Sequence, residues 1–221
     1  MEVIQPDTVS EPPSAASNTL FTAGHSNLEF ETFVKMLSGC HVELVADVRS
    51  RPHSSRFPQF SQPGFAAMLE RERIAYLFLG EELGGRPDDP DAYRSDGVVD
   101  YRARRKSYAF RSGLDRLLDE AGRRTAAVMC AEEDPLECHR FLMICPELTC
   151  AGIQPVHIRK NSQMESQEMA ENRLLRMHGF EGIATQTLFP DVRADALEQS
   201  YEQQAARVAY RVSPELLVDR W

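Results

Sequence analysis

Residues 125–140 read Thr-Ala-Ala-Val-Met-Cys-Ala-Glu-Glu-Asp-Pro-Leu-Glu-Cys-His-Arg. The apolar run Thr125–Cys130 has the length of a strand and is too short for an ordinary globular helix. It stops at a polar turn, and helix-start signals follow at once. Asp134 is a good N-cap, Pro135 suits the first helical position, and Glu137 stands three after the cap. On this reading Cys138, His139 and Arg140 occupy the first two turns of a helix. The unit is a strand feeding a helix, with its unusual side chains at the junction.

Working outward, four more apolar runs have the same strand-like make-up: Thr19–Ala23, Val42–Val48, Ile74–Leu79 and Pro155–Arg159. Helical patterns separate most of them. Ser26 and Glu29 form an S-x-x-E capping box before Phe30, Phe33, Val34 and Leu37. Phe65, Met68 and Leu69 fit a shorter helix. Phe110, Leu114, Leu117, Leu118 and Ala121 line a longer one that Gly122 stops. Strand–helix alternation with near-continuous apolar strands predicts an α/β fold: a single three-layer domain, with a mostly parallel sheet of about five strands and helices on both faces. That domain spans residues 19–180. Residues 1–18, rich in Pro, Ser and Ala, read as a disordered lead-in. Further helices are expected over Glu168–His178 and Ala194–Tyr210. Residues 181–221 read as a tail, partly helical or disordered, that packs on the domain, meets a partner or stays mobile.

Composition narrows the function classes. The chain has 221 residues, 42% of them hydrophobic, which is enough for a real core. No apolar stretch approaches the roughly 20 residues of a membrane helix. The first 18 residues lack the basic and apolar regions of a secretory signal. The five cysteines show no disulfide-scaffold spacing, so a reducing, cytoplasmic location is expected. The net charge of −9 argues against nucleic acid at first sight. From Phe21 to Lys160, however, 19 basic residues face 21 acidic ones, a balance of −2, and the arginines there are clustered. Anion binding by this part of the chain stays open.

In open α/β sheets, ligands bind outside the carboxyl ends of the strands. Distinctive polar residues gather at four such ends: Gly24-His25-Ser26, Asp47-Val48-Arg49, Gly80 through Gly84, Gly85 and Arg86, and Cys130-Ala131-Glu132 with Cys138-His139-Arg140. A thiol at a helix N-terminus beside His and Arg suits a nucleophile or an anion contact, and also suits plain packing. His25 reads as a general acid or base, or as a partner for loop backbone. Asp47 reads as half of an ion pair or as a carboxylate held by Arg49. His157 reads as a satisfied core histidine; Cys40, Cys145 and Cys150 read as ordinary buried thiols. The loop Arg49–Pro63 carries three arginines, among them Arg51 and Arg56, with Ser54 and aromatic rings. Guanidinium forks and hydroxyls suit phosphate, and aromatic rings suit bases. The loop Gly80–Asp100 is long enough to be functional or disordered. Arg102, Arg104, Arg105 and Lys106 follow it, facing either an anion or solvent. No cofactor is expected. Zinc is the alternative that the ligand types of Cys130, Cys138, His139 and His25 allow and the C-x₇-C-H spacing does not favour.

Together these motifs resemble the family of the domain of unknown function 488 over about Leu20–Arg159. The resemblance rests on Gly24-His25-Ser26, Asp47-Val48-Arg49 with Pro52, Leu83-Gly84-Gly85, Met129-Cys130-Ala131-Glu132, Pro135, Cys138-His139-Arg140 and Val156-His157-Ile158. It implies that the strand-end residues are shared features of a family, and it implies little about reaction. Cys145-Pro146 departs from it: proline there predicts that the helix kinks or ends early. Gln186-Thr187-Leu188-Phe189 is similar to a shortened sliding-clamp-binding peptide.

The leading expectation is an enzyme acting on a phosphate-bearing substrate, a nucleotide or nucleic acid. Cys138, His139, Cys130, Glu132, Asp47 and His25 are its candidate catalytic residues. Arg49, Arg140, Ser26, Ser54, Arg56, Arg86, Gly84 and Gly85 are its candidate binding residues. A non-catalytic nucleic-acid-binding accessory protein and a thiol- or metal-dependent sensor are the alternatives.

Overall fold

All five apolar runs form strands: β1 Thr19–Gly24, β2 Leu44–Asp47, β3 Ala75–Phe78, β4 Ala126–Cys130 and β5 Gln154–Ile158. A computed structural model describes residues 19–184 and 190–212 of the chain. The sheet order is β3-β2-β4-β1-β5, and each of these neighbours pairs in parallel. A sixth strand, β6 Met164–Ser166, adds to β5 antiparallel at the edge. The sequence reading stopped at about five strands because three residues with a charged centre carry no periodic signal. Glu165 holds this edge through ion pairs to Arg159 at 2.6 Å and Arg173 at 2.9 Å.

Parallel strands need crossovers, and here helices supply them: α1 Phe30–Gly39, α2 Gly64–Arg71, α3 Gly80–Leu83, α4 Tyr101–Lys106, α5 Tyr108–Ala121 and α6 Cys145–Cys150, followed by α7 Gln167–Met177, α8 Glu181–Ala184 and α9 Pro190–Val208. Strand residues alternate between two cores, which makes the layers explicit. Leu20, Ala46, Val48 and Val128 pack with Phe110, Leu114 and Leu117 of α5, Leu148 of α6 and Leu174 of α7. Phe21, Ala23, Val45, Ala127 and Met129 pack on the other face with Phe33 and Leu37 of α1 and Phe65 and Leu69 of α2. Each fully buried Val, Leu, Phe or Met among them stabilises the fold by about 1.5–3 kcal/mol. The molecule is thus a mostly parallel α/β domain with helices around the sheet.

Several local expectations are corrected. The Ser26–Glu29 capping box does not form: Glu29 occupies the N-cap of α1 without a side-chain bond. Ser26 instead has φ of 46°, and its N–H donates to the Ala131 carbonyl, extending the β1–β4 pairing. Asp134 caps only a 3₁₀ turn, Pro135–Glu137. Cys138 is extended, with φ −133° and ψ 140°, so the next helix starts after it rather than at Pro135. The helix across Pro146 does not end. It widens to a π turn over Arg140–Ile144, where Cys145 N–H donates to Arg140, and continues as α6. Proline offers no N–H and crowds the carbonyl four residues back, and a widened turn accommodates both effects.

The described part of the tail packs on the domain. Tyr201, Ala205 and Val208 of α9 join the first core, and the Tyr201 ring stacks on Phe141 at 5.2 Å. The long loop after β3 is structured by α3 and by a bridge between Tyr93 and Val99. Three of the four basic residues of α4 face protein partners, and Lys106 is exposed. Arg102 pairs with Glu198 and Glu202, Arg104 donates to the Glu81 and Glu82 carbonyls, and Arg105 approaches Glu147. Cys40 and Cys145 are buried as expected, but Cys150 is exposed. The lead-in 1–18 and the clamp-like Gln186–Phe189 lie outside the described residues. Among the described residues no helix is long and apolar enough to cross a membrane.

Candidate functional site

From β2 the chain moves to β3 at one edge, while from β4 it crosses to β5 beyond β1. The directions diverge between β2 and β4, and their carboxyl ends are where an open α/β sheet binds ligands. A cavity of about 890 Å³ opens there. Its walls include His25 and Ser26 after β1, Arg49 after β2, Gly85 and Arg86 after β3, and Cys130, Glu132 and His139 after β4. Ser54 and Arg56 reach it from the Arg-rich loop. Ten of the fourteen expected site residues therefore meet around one cavity; Asp47, Cys138, Arg140 and Gly84 are not among those that line it.

The β1–β2 side is a closed polar network. Asp47 is fully buried and accepts from Arg49 Nε at 2.9 Å, Arg49 Nη2 at 2.6 Å, the Arg49 backbone N–H at 3.0 Å and Tyr76 Oη at 2.8 Å. With its lone pairs used this way, Asp47 holds Arg49 and is not a free acid or base. Arg49 also donates from Nη2 to the Phe60 carbonyl at 2.8 Å and from Nη1 to His25 Nε2 at 3.2 Å. That leaves one Nη1 hydrogen uncommitted on a residue that lines the cavity. His25 donates from Nδ1 to the Ser26 carbonyl at 3.0 Å and stacks on Phe60 at 4.3 Å. Burial first, and the Arg49 charge second, lower its pKa to about 4. His25 is a neutral ring with both nitrogens engaged, and its role is to position Arg49.

Arg140 is likewise an internal strut. It is 1% exposed, donates to the Glu132 and Glu133 carbonyls at 2.7 and 2.9 Å, and contacts Thr22 Oγ1 at 3.4 Å. It pins the loop after β4 over the end of β1. Gly24 permits that closeness, since a Cβ there would lie 1.7 Å from the Glu132 carbonyl oxygen. His157, as expected, is satisfied in the core by Thr22 Oγ1 and Gln167 Oε1.

The β4 side is a cluster of reactive groups. Cys130 Sγ donates to Glu132 Oε2 at 3.1 Å. His139 Nε2 donates to the Val48 carbonyl at 3.0 Å, which turns Nδ1 toward Cys130 Sγ at 3.7 Å and Cys138 Sγ at 3.8 Å. Gly85 lets the loop after β3 press on this ring, because a Cβ there would meet His139 Cγ at 2.8 Å. Cys138 acts as the N-cap of the following helix. Its carbonyl accepts from Phe141 and Leu142, and its sulfur takes the Arg140 N–H at 3.5 Å. Burial pushes the Cys138 thiol up, but the Cys130 hydrogen bond and the charges of Arg140 and His139 outweigh it and hold the thiol well below its ordinary range. Cys130 moves the other way, raised by its bond to Cys138 and by burial. Burial would lower His139, and the neighbouring Cys138 thiolate raises it by more. The arrangement makes Cys138 the more readily ionised of the two thiols and sets it beside the His139 ring. It can serve as a nucleophile, move a proton or hold a soft metal.

Sequence reasoning missed part of the wall. Tyr101, at the start of α4, Val208, which ends α9, and Tyr210, two residues beyond it, line the cavity. Tyr210 lies under Arg86 at 4.7 Å and is held by the Val99 N–H on its carbonyl. No local motif marks these residues, because only the docking of α9 brings them to the rim.

No curated protein and no solved structure matches the chain. A family model described as "Domain of unknown function DUF488" matches residues 29–144, or 116 of the 221 residues. The match takes in the ends of β2, β3 and β4, hence the Asp47–Arg49 pair and the whole Cys/His/Glu cluster, and the chain belongs to the DUF488 family.

Proposed function

We propose that the cavity is the active site of an enzyme acting on a phosphate-bearing substrate, with nucleotides and nucleic acids the class it suits best. The observation that carries this reading is the placing of four arginines, Arg49, Arg51, Arg56 and Arg86, around a cavity whose floor holds thiol, imidazole and carboxylate groups. Two carboxylates, Glu132 and Glu137, share the same walls, so the lining is net positive in a chain of net charge −9. Guanidinium forks and the Ser50 and Ser54 hydroxyls match phosphate oxygens. The rings of Phe57 and Tyr210, each already beneath an arginine, offer faces on which a base can stack. Five free thiols suit a reducing, cytoplasmic setting.

The test is binding of reduced protein to fluorescent nucleotides and to single- and double-stranded oligonucleotides across a salt series, with bound material analysed for conversion by mass spectrometry. Affinity should fall linearly with salt on logarithmic axes. Arg56→Ala should lower the slope by about 1, the loss of one phosphate contact. Absence of binding at low salt refutes the substrate class. Binding with no conversion of any ligand in the panel refutes the enzyme and favours a binding module.

A further inference from the structure

We infer that Cys130, Cys138, His139 and Glu132 form a binding site for one divalent cation of the zinc class on the floor of the cavity. Their candidate ligand atoms, two Sγ, one Nδ1 and one carboxylate oxygen, all lie within 4.8 Å of one another. Zinc bonds of about 2.0–2.3 Å in a tetrahedron require ligand–ligand edges of about 3.3–3.8 Å. Three of the six edges are 3.1 Å for Cys130 to Glu132, 3.7 Å for Cys130 to His139 and 3.8 Å for Cys138 to His139, and all six lie within 4.8 Å, so a small contraction closes the set around an ion. The sulfur–nitrogen separations, which are those of hydrogen bonds to sulfur, also match two ligands of one ion.

The surroundings are those of a metal site. A ligating histidine commonly donates its second ring nitrogen to a carbonyl, which fixes the ring and frees the other nitrogen for the metal. His139 does this through Val48, at the end of the adjacent strand. The Cys138 sulfur takes a backbone N–H from Arg140, the kind of contact that steadies a thiolate ligand. Charge also closes. Two thiolates and a carboxylate around a divalent cation leave one negative charge, and the Arg140 guanidinium, buried beside the cluster and neutral in no state, balances it. Two thiolates and an imidazole select zinc over magnesium or calcium.

The fourth ligand differs from the other three. Cys130 and Cys138 are buried, His139 is pinned by Val48 and Gly85, and Glu132 is exposed. Three fixed ligands and one exchangeable carboxylate on a cavity wall describe a site that can open a coordination position to a ligand. The inference goes beyond the phosphate reading and stands without it, because the cation would bind whatever enters the cavity.

The experiment uses the full chain, reduced, stripped with chelator and titrated with Co²⁺ and then Zn²⁺. One equivalent of Co²⁺ should give thiolate-to-metal charge transfer and the intense visible bands of a tetrahedral ion, and Zn²⁺ should bleach both. Cys130→Ser and Cys138→Ser should each weaken Zn²⁺ binding by more than about 100-fold, beyond the loss of an outer-shell partner. Glu132→Gln, a near-isosteric change at an exposed position, should weaken it by about 10-fold and keep the charge-transfer band. Absence of that band in the folded wild type overturns the proposal, as does stoichiometric zinc whose affinity is unchanged in Glu132→Gln and in either cysteine variant. Phosphate binding plays no part in these readouts, so they fail or succeed separately from the substrate reading.

Discussion

The carboxyl ends of β2 and β4 lie side by side on one rim and are built on opposite plans. At the end of β2, Asp47, Arg49, Tyr76 and the Phe60 carbonyl are joined by bonds of 2.6–3.0 Å. At the end of β4, the thiols, imidazole and carboxylate lie within 4.8 Å of one another, with contacts of 3.1–3.8 Å between Cys130 and Glu132, Cys130 and His139, and Cys138 and His139. The first set is saturated and behaves as scaffold. The second is joined by longer contacts to sulfur, which leave sulfur lone pairs for a further partner. Chemistry-bearing residue types are therefore no guide to role by themselves; the degree to which their polar atoms are already satisfied is.

Three measurements test this contrast. The largest effect belongs to Asp47→Asn. It leaves the buried Arg49 charge without its counter-ion, and losing one partner of a buried pair costs about 3–5 kcal/mol. Denaturant unfolding should show that loss; a near-wild-type midpoint would mean that Asp47 is not scaffold.

Acidification comes next. His25 is neutral in the folded state down to about pH 4, whereas the unfolded chain protonates it near 6.5. Because the folded pKa is depressed, its contribution is present above pH 6.5 and is lost as the pH falls through 4. The loss from His25 is roughly 3 kcal/mol at 1.36 kcal/mol per unit. His157, lowered to about 3 first by burial and then by Arg140, extends the decline further. Unfolding free energies measured from pH 7 to 4 should slope accordingly. A flat profile would show that His25 is accessible to protons, and hence free for acid–base work.

The smallest effect on stability should come from the β4 side. Cys138→Ala removes a sulfur whose contacts are weak, so a cost near 1 kcal/mol, the centre of ordinary substitutions, is expected. A cost of 3 kcal/mol or more by the same unfolding assay would place Cys138 with the scaffold and erase the contrast.

How much of this was legible in sequence differs by element. The five parallel strands were, because each reads as a short apolar run; β1, β2 and β4 are buried on both faces, and β3 and β5 are partly so. The edge strand β6 was not, since Glu165 serves an ion-pair cluster rather than a core. Cys130, Glu132 and His139 were legible as strand-end residues. Arg140 and Asp47 looked equally reactive and proved internal, because a guanidinium aimed at carbonyls and one aimed at a cavity have the same spelling.

Local sequence sets the alternation of strands and helices, through hydrophobic period and length. It also placed the polar motifs at strand ends, because polar residues cannot continue a buried strand. Only the tertiary structure decided which of those residues face the cavity. It turned Ser26 from a helix cap into a sheet extension, and it made Cys138 the cap of a helix that starts four residues later than its signals suggest. It also brought Tyr210 from the C-terminal segment to the rim beside Arg86. The reason is that caps and strand ends are local, set by a few neighbouring residues. Cavity walls are made by segments up to about 180 residues apart in the chain, and their meeting depends on how α9 buries its apolar side chains against the first core.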